Sequence, residues 1–336
     1  MVKRIIFLIL ILLVFWFAGY GKKVAELPEL MKPGIMAVDD TQLFVTQDAS
    51  VFIYSLKDFK LVKKFGRAGQ GPQEFQIVPQ VPLVIDVSTD QIIVISIGRV
   101  SYFSKQGEFI KEVKMKSLAF FLQPFGDKFL GMTEVAADGV RYKVVNIYDS
   151  NINKIKEIYR DKKEFQGPGR GTKVLEKPFV YQAYGDKILL PGKDAATVNL
   201  YDKEMNKLFF IRLEQKKRKV DRDFKDAVIQ QLKTSPATKP YFEMIKPIIF
   251  PDYFPAIRAF FVEDDTVYVM TWKMENSVNE FFTYDMSGQF KKRLMIPIRY
   301  ESKLKPYPIT INKGKLYQIV ENEEEEMWEF HMSVIN

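Results

Sequence analysis

The sequence predicts an all-β protein: a six-bladed β-propeller with a helical insertion between its fourth and fifth blades and an N-terminal strand closing the last one. Three observations lead there. A polar turn followed by an apolar strand recurs six times, anchored on Leu43, Ile92, Phe129, Ile188, Val267 and Leu316. Five of these units continue into a second strand ending on an aromatic residue, at Tyr54, Phe103, Tyr148, Tyr201 and Tyr284. The sixth unit offers strands at 307–311, 316–320 and 327–334 and then reaches Asn336 without an outer strand.

Leu43 to Tyr54 and Ile92 to Phe103 both span 11 residues. The turns after the aromatics, such as Asp202-Lys-Glu-Met-Asn206 and Asp285-Met-Ser-Gly288, carry the Asp, Asn and Gly that tight hairpins need. Each unit is thus an antiparallel meander of roughly 40–50 residues, the size of one propeller blade. A lone meander cannot bury both faces, whereas packing the units around an axis covers each sheet with its neighbours. A β-sandwich is the alternative, but sandwich strands do not recur as homologous meanders.

Taken in order, residues 1–21 stand apart. Lys3 and Arg4 precede an apolar run from Ile5 to Ala18, then small residues and two lysines. That is the build of a secretory signal, and the run is shorter than the roughly 20 residues of a spanning helix. Residues 1–21 are expected to be a signal peptide or an uncleaved N-terminal anchor, with residues 22–336 forming one domain exported to the periplasm or cell envelope. Tyr20 stands where a lipoprotein signal would place its cysteine, so no lipid thioether forms here. Residues 23–31 resemble outer strands such as Lys207-Leu-Phe-Phe-Ile-Arg-Leu213 and are assigned to complete the sixth blade, covering a bare sheet edge.

After the first unit comes Phe65-Gly-Arg-Ala-Gly-Gln-Gly-Pro-Gln-Glu-Phe75. This segment resembles the blade-joining motif of NHL-type six-bladed propellers, with Phe65, Gly66, Gly69, Gly71, Pro72 and Phe75 matching and Gln73 replacing the last glycine. Gly98-Arg-Val-Ser-Tyr-Phe103 and Phe254-Pro-Ala256 are similar to later parts of the same pattern, also found in bacterial cell-envelope propellers. The resemblance implies a ring that binds a partner on one face and fixes no substrate. Gly66, Gly69 and Gly71 are expected to supply left-handed backbone where the chain crosses from rim to channel.

Residues 214–256 interrupt the repeat. Ile188 and Val267 stand 79 residues apart, against 49 for Leu43–Ile92 and Val267–Leu316. Phe224, Val228 and Leu232 fall four apart, which predicts a helix over 221–233 capped by Asp221 or Asp223, and a second short helix over 241–245. The insertion is read as either a lid or a packed rim element. Its run Lys216, Lys217, Arg218 and Lys219 is the candidate contact for an anionic partner.

The 50 Lys+Arg against 42 Asp+Glu leave a net charge of +8 and a pI near 9.2, suiting anionic partners, although a scatter of surface lysines accounts for the figure equally well. No cysteine is present, which excludes disulfides, thiolate metal sites and cysteine nucleophiles. The single histidine, His331, excludes an imidazole dyad and is read as structural beside Trp328 and Phe330. No nucleophile elbow, zinc helix, P-loop or dinucleotide fingerprint occurs, and Gly167-Pro-Gly-Arg-Gly171 is read as a surface loop.

Arg67, Gln70, Arg99, Arg170, Arg258 and Trp272 are the candidate ligand-binding residues, placed at the channel mouth because arginine and aromatics dominate recognition surfaces. The expected function is a monomeric, non-catalytic binding or scaffold module for a protein or an anionic envelope polymer, with no cofactor. Export argues against nucleic acid, and residues 1–21, if retained, are the membrane contact. The alternative is a calcium-dependent hydrolase, lactonase or lyase on the same ring, its metal held by Asp86, Asn146, Asp186 or Asp264; Glu323 to Glu326 are read as a solvated turn.

Overall fold

Apolar runs such as Ile92–Ile95 have no polar face because both faces of their strand are covered. Ile92 and Val94 pack towards the preceding blade, while Ile93 and Ile95 pack towards the next. The same alternation holds at Ile188–Leu190 and Val267–Met270. The computed structural model of the protein describes residues 21–71, 73–78, 81–88, 90–116, 118–163, 171–236, 238–275 and 278–335. Residues 1–20, Pro72 and Arg170 lie outside them.

Six four-stranded antiparallel sheets form the ring. Blade 1 comprises Met36–Val38, Gln42–Gln47, Ser50–Ser55 and Leu61–Phe65 from inner to outer strand, and blade 2 comprises Val84–Val87, Gln91–Ser96, Arg99–Ser104 and Phe109–Lys114. Blade 3 holds Phe120–Phe125, Lys128–Ala137, Val140–Tyr148 and Lys154–Lys163, and blade 4 holds Gln182–Tyr184, Lys187–Pro191, Thr197–Asp202 and Lys207–Arg212. Blade 5 is Ala259–Glu263, Thr266–Glu275, Val278–Asp285 and Phe290–Pro297. Blade 6 takes Ile309–Asn312, Lys315–Asn322 and Met327–Val334 from the C-terminus and its outer strand, Lys22–Glu26, from the N-terminus.

The core is divided in the same way. Six apolar clusters each join one blade to the next, including the closing pair of blades 6 and 1 through Leu43, Tyr54, Ile319 and Phe330. All six anchors are buried. The closing strand is shorter than the expected 23–31. Past Glu26 the chain turns inward and buries Leu27 and Leu30 beneath blade 1, so residues 27–31 serve as the connection to the first blade. Lys23 reaches Glu26 (2.7 Å) and Glu329 (2.8 Å), and His331 contacts the Gly21 carbonyl (3.1 Å) and Glu329 (2.7 Å). The lone histidine thus ties the two chain ends together.

The basic excess is not scattered. The six outer strands carry sixteen Lys and Arg against four Asp and Glu, while the other eighteen blade strands carry seven against nine. An outer strand has an unpaired edge, and charge there opposes edge-to-edge association of exposed apolar neighbours such as Val62, Ile110, Phe210 and Phe290.

In the first joining segment Gly66 has φ +85°, and a Cβ there would lie 2.3 Å from the Phe75 ring. Gln73 takes φ +61°, a left-handed conformation uncommon for a residue with a side chain. Gly71, expected to be left-handed, is not among the positive-φ residues; its N–H donates to Glu74 at 2.7 Å, and a Cβ there would lie 2.9 Å from that carboxylate.

Candidate binding site

The two faces of the ring differ. One carries the short turns between inner and second strands. The other carries the blade-joining segments and the insertion, and there blades 3 and 5 are extended by second strands of ten residues each, against six in blades 1 and 2. The insertion sits between these two tall blades. Its helix, Arg222–Thr234, starts where Asp221 accepts a hydrogen bond from the Phe224 N–H (2.8 Å), and it buries Val228. The return strand Ile248–Ile249 pairs in parallel with Thr172–Lys173 of the segment entering blade 4. Leu175, Val220 and Phe254 form a seventh apolar cluster under the insertion, joined by Phe224, Phe250 and Trp272.

Beside that cluster stands a column of alternating cations and rings. The Arg218 guanidinium lies 4.9 Å from the Phe254 ring, Phe254 stacks on Trp272 at 5.4 Å, and Arg258 lies 4.3 Å from Trp272 and 4.5 Å from Tyr300. Phe224 props it edge-on, 4.9 Å from Phe254 and 6.2 Å from Trp272. Arg218 donates to the Trp272 carbonyl (2.7 Å), and Arg258 to those of Lys303 (3.4 Å) and Leu304 (3.3 Å). Burial pulls the Arg258 pKa down, partly offset by Tyr300, whose own pKa burial pushes up to about 12. The Trp272 indole N–H is buried with no acceptor among the described residues. Stacking fixes each guanidinium plane while leaving further N–H groups at its edge, the arrangement that binds a carboxylate or phosphate in two-point fashion. A groove of about 680 Å3 opens against the column, lined also by Lys216, Lys217 and Tyr253.

Of the predicted residues, Arg258 and Trp272 meet in this column, and Arg218 from the basic run joins them. Lys216, Lys217 and Lys219 are exposed beside it, Lys217 lying 5.5 Å from the Tyr253 ring. Arg67, Gln70 and Arg99 gather elsewhere, the first two on the segment joining blades 1 and 2 and Arg99 at the start of the third strand of blade 2. Arg99 donates to the carbonyls of Gln70 and Gly71 and pairs with Glu112 (3.2 Å), while Arg67 pairs with Glu74 (2.8 Å). Those side chains hold their own loop in shape. Phe254, Tyr300 and Phe224 complete the site without having been singled out as binding residues. Phe254 had a signal in the Phe-Pro-Ala resemblance; Tyr300 had none.

Around the channel, Gln123 accepts from the Ala183 N–H (2.9 Å) and donates to the Tyr181 carbonyl (3.0 Å), clipping blade 3 to blade 4. Gln182 does the same to Val262 of blade 5, at 2.7 and 3.0 Å. The four calcium candidates are dispersed. Asp86 is on the inner strand of blade 2, Asn146 is buried in blade 3 beside Tyr148, Asp186 pairs with Lys187, and Asp264 accepts from the Gly314 N–H. Among the described residues no three His, Cys, Asp or Glu side chains gather as metal ligands do. Glu263, raised to about 7 by burial and by Asp264, lines a cavity of about 720 Å3 at the mouth opposite the insertion, with Asp39, Ser88 and Asn312.

No family profile and no curated protein matches the chain. Among solved structures it is similar to a member of the duf4221 family from Bacteroides vulgatus, at TM-score 0.47 and 12% identity over 95% of this chain and 96% of that one. It is also similar to the Pan2 WD40 domain of Neurospora crassa (0.39, 12%, 85% and 74%) and to BamB from Moraxella catarrhalis (0.34, 9%, 88% and 81%). The chain is a six-bladed β-propeller. Similarities this distant carry no argument about activity or partner.

Proposed function

We propose that this propeller is an exported, non-catalytic binding module of the cell envelope that takes an anionic partner on the face bearing the insertion. The observation that carries the reading is the arginine–aromatic column. Two guanidiniums are held flat against rings, Arg218 in the wall of the open groove with Lys216 and Lys217 and Arg258 sharing with it a smaller cavity of about 210 Å3 against Phe254 and Trp272, and both are preorganised for carboxylates or phosphates. Residues 1–21 are read as the export signal or a retained anchor, and the segment from Phe65 to Phe75 as an NHL-like blade joint.

Equilibrium binding of the purified protein to a panel of acidic proteins and anionic polymers tests this. Saturable binding should weaken with salt and fall about tenfold or more in Arg258→Gln. Binding that ignores both salt and Arg258→Gln sinks the reading. N-terminal sequencing of the protein recovered from the envelope tests export.

The second reading, a calcium-dependent hydrolase or lyase, draws on Glu263, whose raised pKa suits an acid–base group at the opposite mouth. A melting temperature several degrees apart in calcium and in chelator would favour it.

A further inference from the structure

Residues 249–256 form a partition with a groove on each side. Tyr253, Phe254, Pro255 and Ala256 line the groove of the arginine column, whereas Ile249, Phe250 and Pro251 line a second groove of about 830 Å3 against the tall third blade. Only Asp252, at a bend, separates the two sets, and Pro251 and Tyr253 are at most about 7 Å apart. The second groove holds six cations, Arg141, Lys143, Lys162, Lys163, Lys173 and Lys177, against two carboxylates, Asp161 and Glu176. Lys177 pairs with Asp161 (3.0 Å) and Lys163 with Glu134 (2.5 Å), and in the first groove Arg212 pairs with Asp194 (2.7 Å) and Lys273 with Glu275 (3.2 Å). Together the grooves carry eleven Lys and Arg against five Asp and Glu.

Cations again sit on rings here. Lys143 lies 5.6 Å from the Phe179 ring, and Lys225 lies 5.9 Å from the Phe250 ring.

We propose that one linear acidic polysaccharide lies across the partition and fills both grooves, an inference that rests on the anionic-partner reading above and names its ligand class. Two basic grooves a single residue apart suit a chain bearing a charge on each repeat, because engaging the second groove becomes intramolecular once the first is held. The rings argue against nucleic acid. Cations or other rings cover faces of Phe179, Phe254 and Trp272, which then orient charge instead of offering platforms for successive bases. An acidic peptide would carry its charges on flexible side chains whose rotamer freedom is lost on binding, a cost that a carboxylate fixed on a sugar ring largely avoids. A polysaccharide brings carboxylates for the cations, C–H faces for ring edges and hydroxyls that stay hydrated in open grooves.

The test is titration of the purified protein with polygalacturonate oligomers of increasing length, with polyglutamate and single-stranded DNA as competitors. Affinity should rise about tenfold or more once the oligomer is long enough to span the partition. The variant Lys143→Gln/Lys162→Gln should remove most of that gain while leaving the shortest oligomers unaffected, and Lys143→Arg/Lys162→Arg, confirmed folded by its melt, should keep it. Length-independent affinity, no effect of the Gln pair, or tighter binding of polyglutamate or DNA each overturns the proposal. If Arg258→Gln still weakens binding in those cases, the anionic-partner reading survives alone. If it does not, both fall.

Discussion

The joint between blades 4 and 5 and the joint between blades 2 and 3 use the same inner-strand position in opposite ways. Gln182 pairs in register with Leu189, one residue past the anchor Ile188, and Asp86 pairs with Ile93, one past the anchor Ile92. The amide of Gln182 satisfies both the N–H and the C=O of buried Val262. In blade 3 the residue in register with Val262 is Pro124, which has no N–H to offer. Asp86 makes no hydrogen bond or ion pair among the described residues, and burial pushes its pKa up to about 6. One position is therefore a staple where the next blade presents an N–H and a liability where it presents proline.

Breaking the staple should have the largest effect. Gln182→Ala leaves two buried backbone groups unpaired and should cost about 2–3 kcal/mol in chemical unfolding. A loss below about 0.5 kcal/mol would mean that water or rearrangement replaces the clip.

Ring closure gives the contrasting titration. Burial disfavours the Glu329 carboxylate, but hydrogen bonds from Lys23, Asn322 and His331 outweigh it and hold the pKa down to about 2. A depressed carboxylate stabilises above its unfolded pKa and loses that contribution as pH falls towards 2. Glu329→Gln should cost about 1–2 kcal/mol at pH 7 and almost nothing near pH 2; an equal cost at both ends contradicts the closure argument.

Asp86 runs the other way. Its folded pKa exceeds the unfolded value of 3.8, so its contribution favours the folded state below about pH 4 and is lost as pH rises through 6. Asp86→Asn should stabilise the protein by about 1 kcal/mol at pH 7.5 and flatten the profile between pH 4 and 7. Destabilisation at pH 7.5 would show that the carboxylate has a partner. Asp86→Gln alone should not create a clip, whereas Asp86→Gln with Pro124→Ala should show a favourable coupling of about 1 kcal/mol in a double-mutant cycle.

The smallest effect belongs to Asn312→Ala at the closing joint. Asn312 gives one hydrogen bond to the Val38 carbonyl, so the loss should be about 0.5–1 kcal/mol in the same unfolding assay. A cost matching Gln182→Ala would erase the distinction between one-bond and two-bond clips.

Much of the ring was legible because burial on both faces leaves a local signature. Leu43, Ile92 and Val267 each start an apolar run after a polar turn, and each lies in a second strand. The closing strand was legible from its likeness to other outer strands, and the insertion from its broken spacing and helical period. The site was legible only in pieces. Arg99 and Arg258 look alike in sequence, since each stands where a strand begins, yet one spends its guanidinium on the Gln70–Gly71 loop and the other stacks between two rings. Gln73 shows the same limit, because nothing in a glutamine side chain announces the left-handed backbone that the residue adopts.

Local pattern, then, determined how many sheets there are, where each begins and which strand is borrowed from the other end of the chain. Those features depend on alternation within a few residues, which any strand buried on two sides must display. Which cations share a groove was decided by the tertiary structure. Arg218 and Phe254 lie on the insertion, Arg258 just before blade 5, Trp272 on the second strand of that blade and Tyr300 in the joint to blade 6, and no short-range period relates them. Only the folding of residues 214–256 back over blade 4, between two tall neighbours, brings their charges and rings into one column.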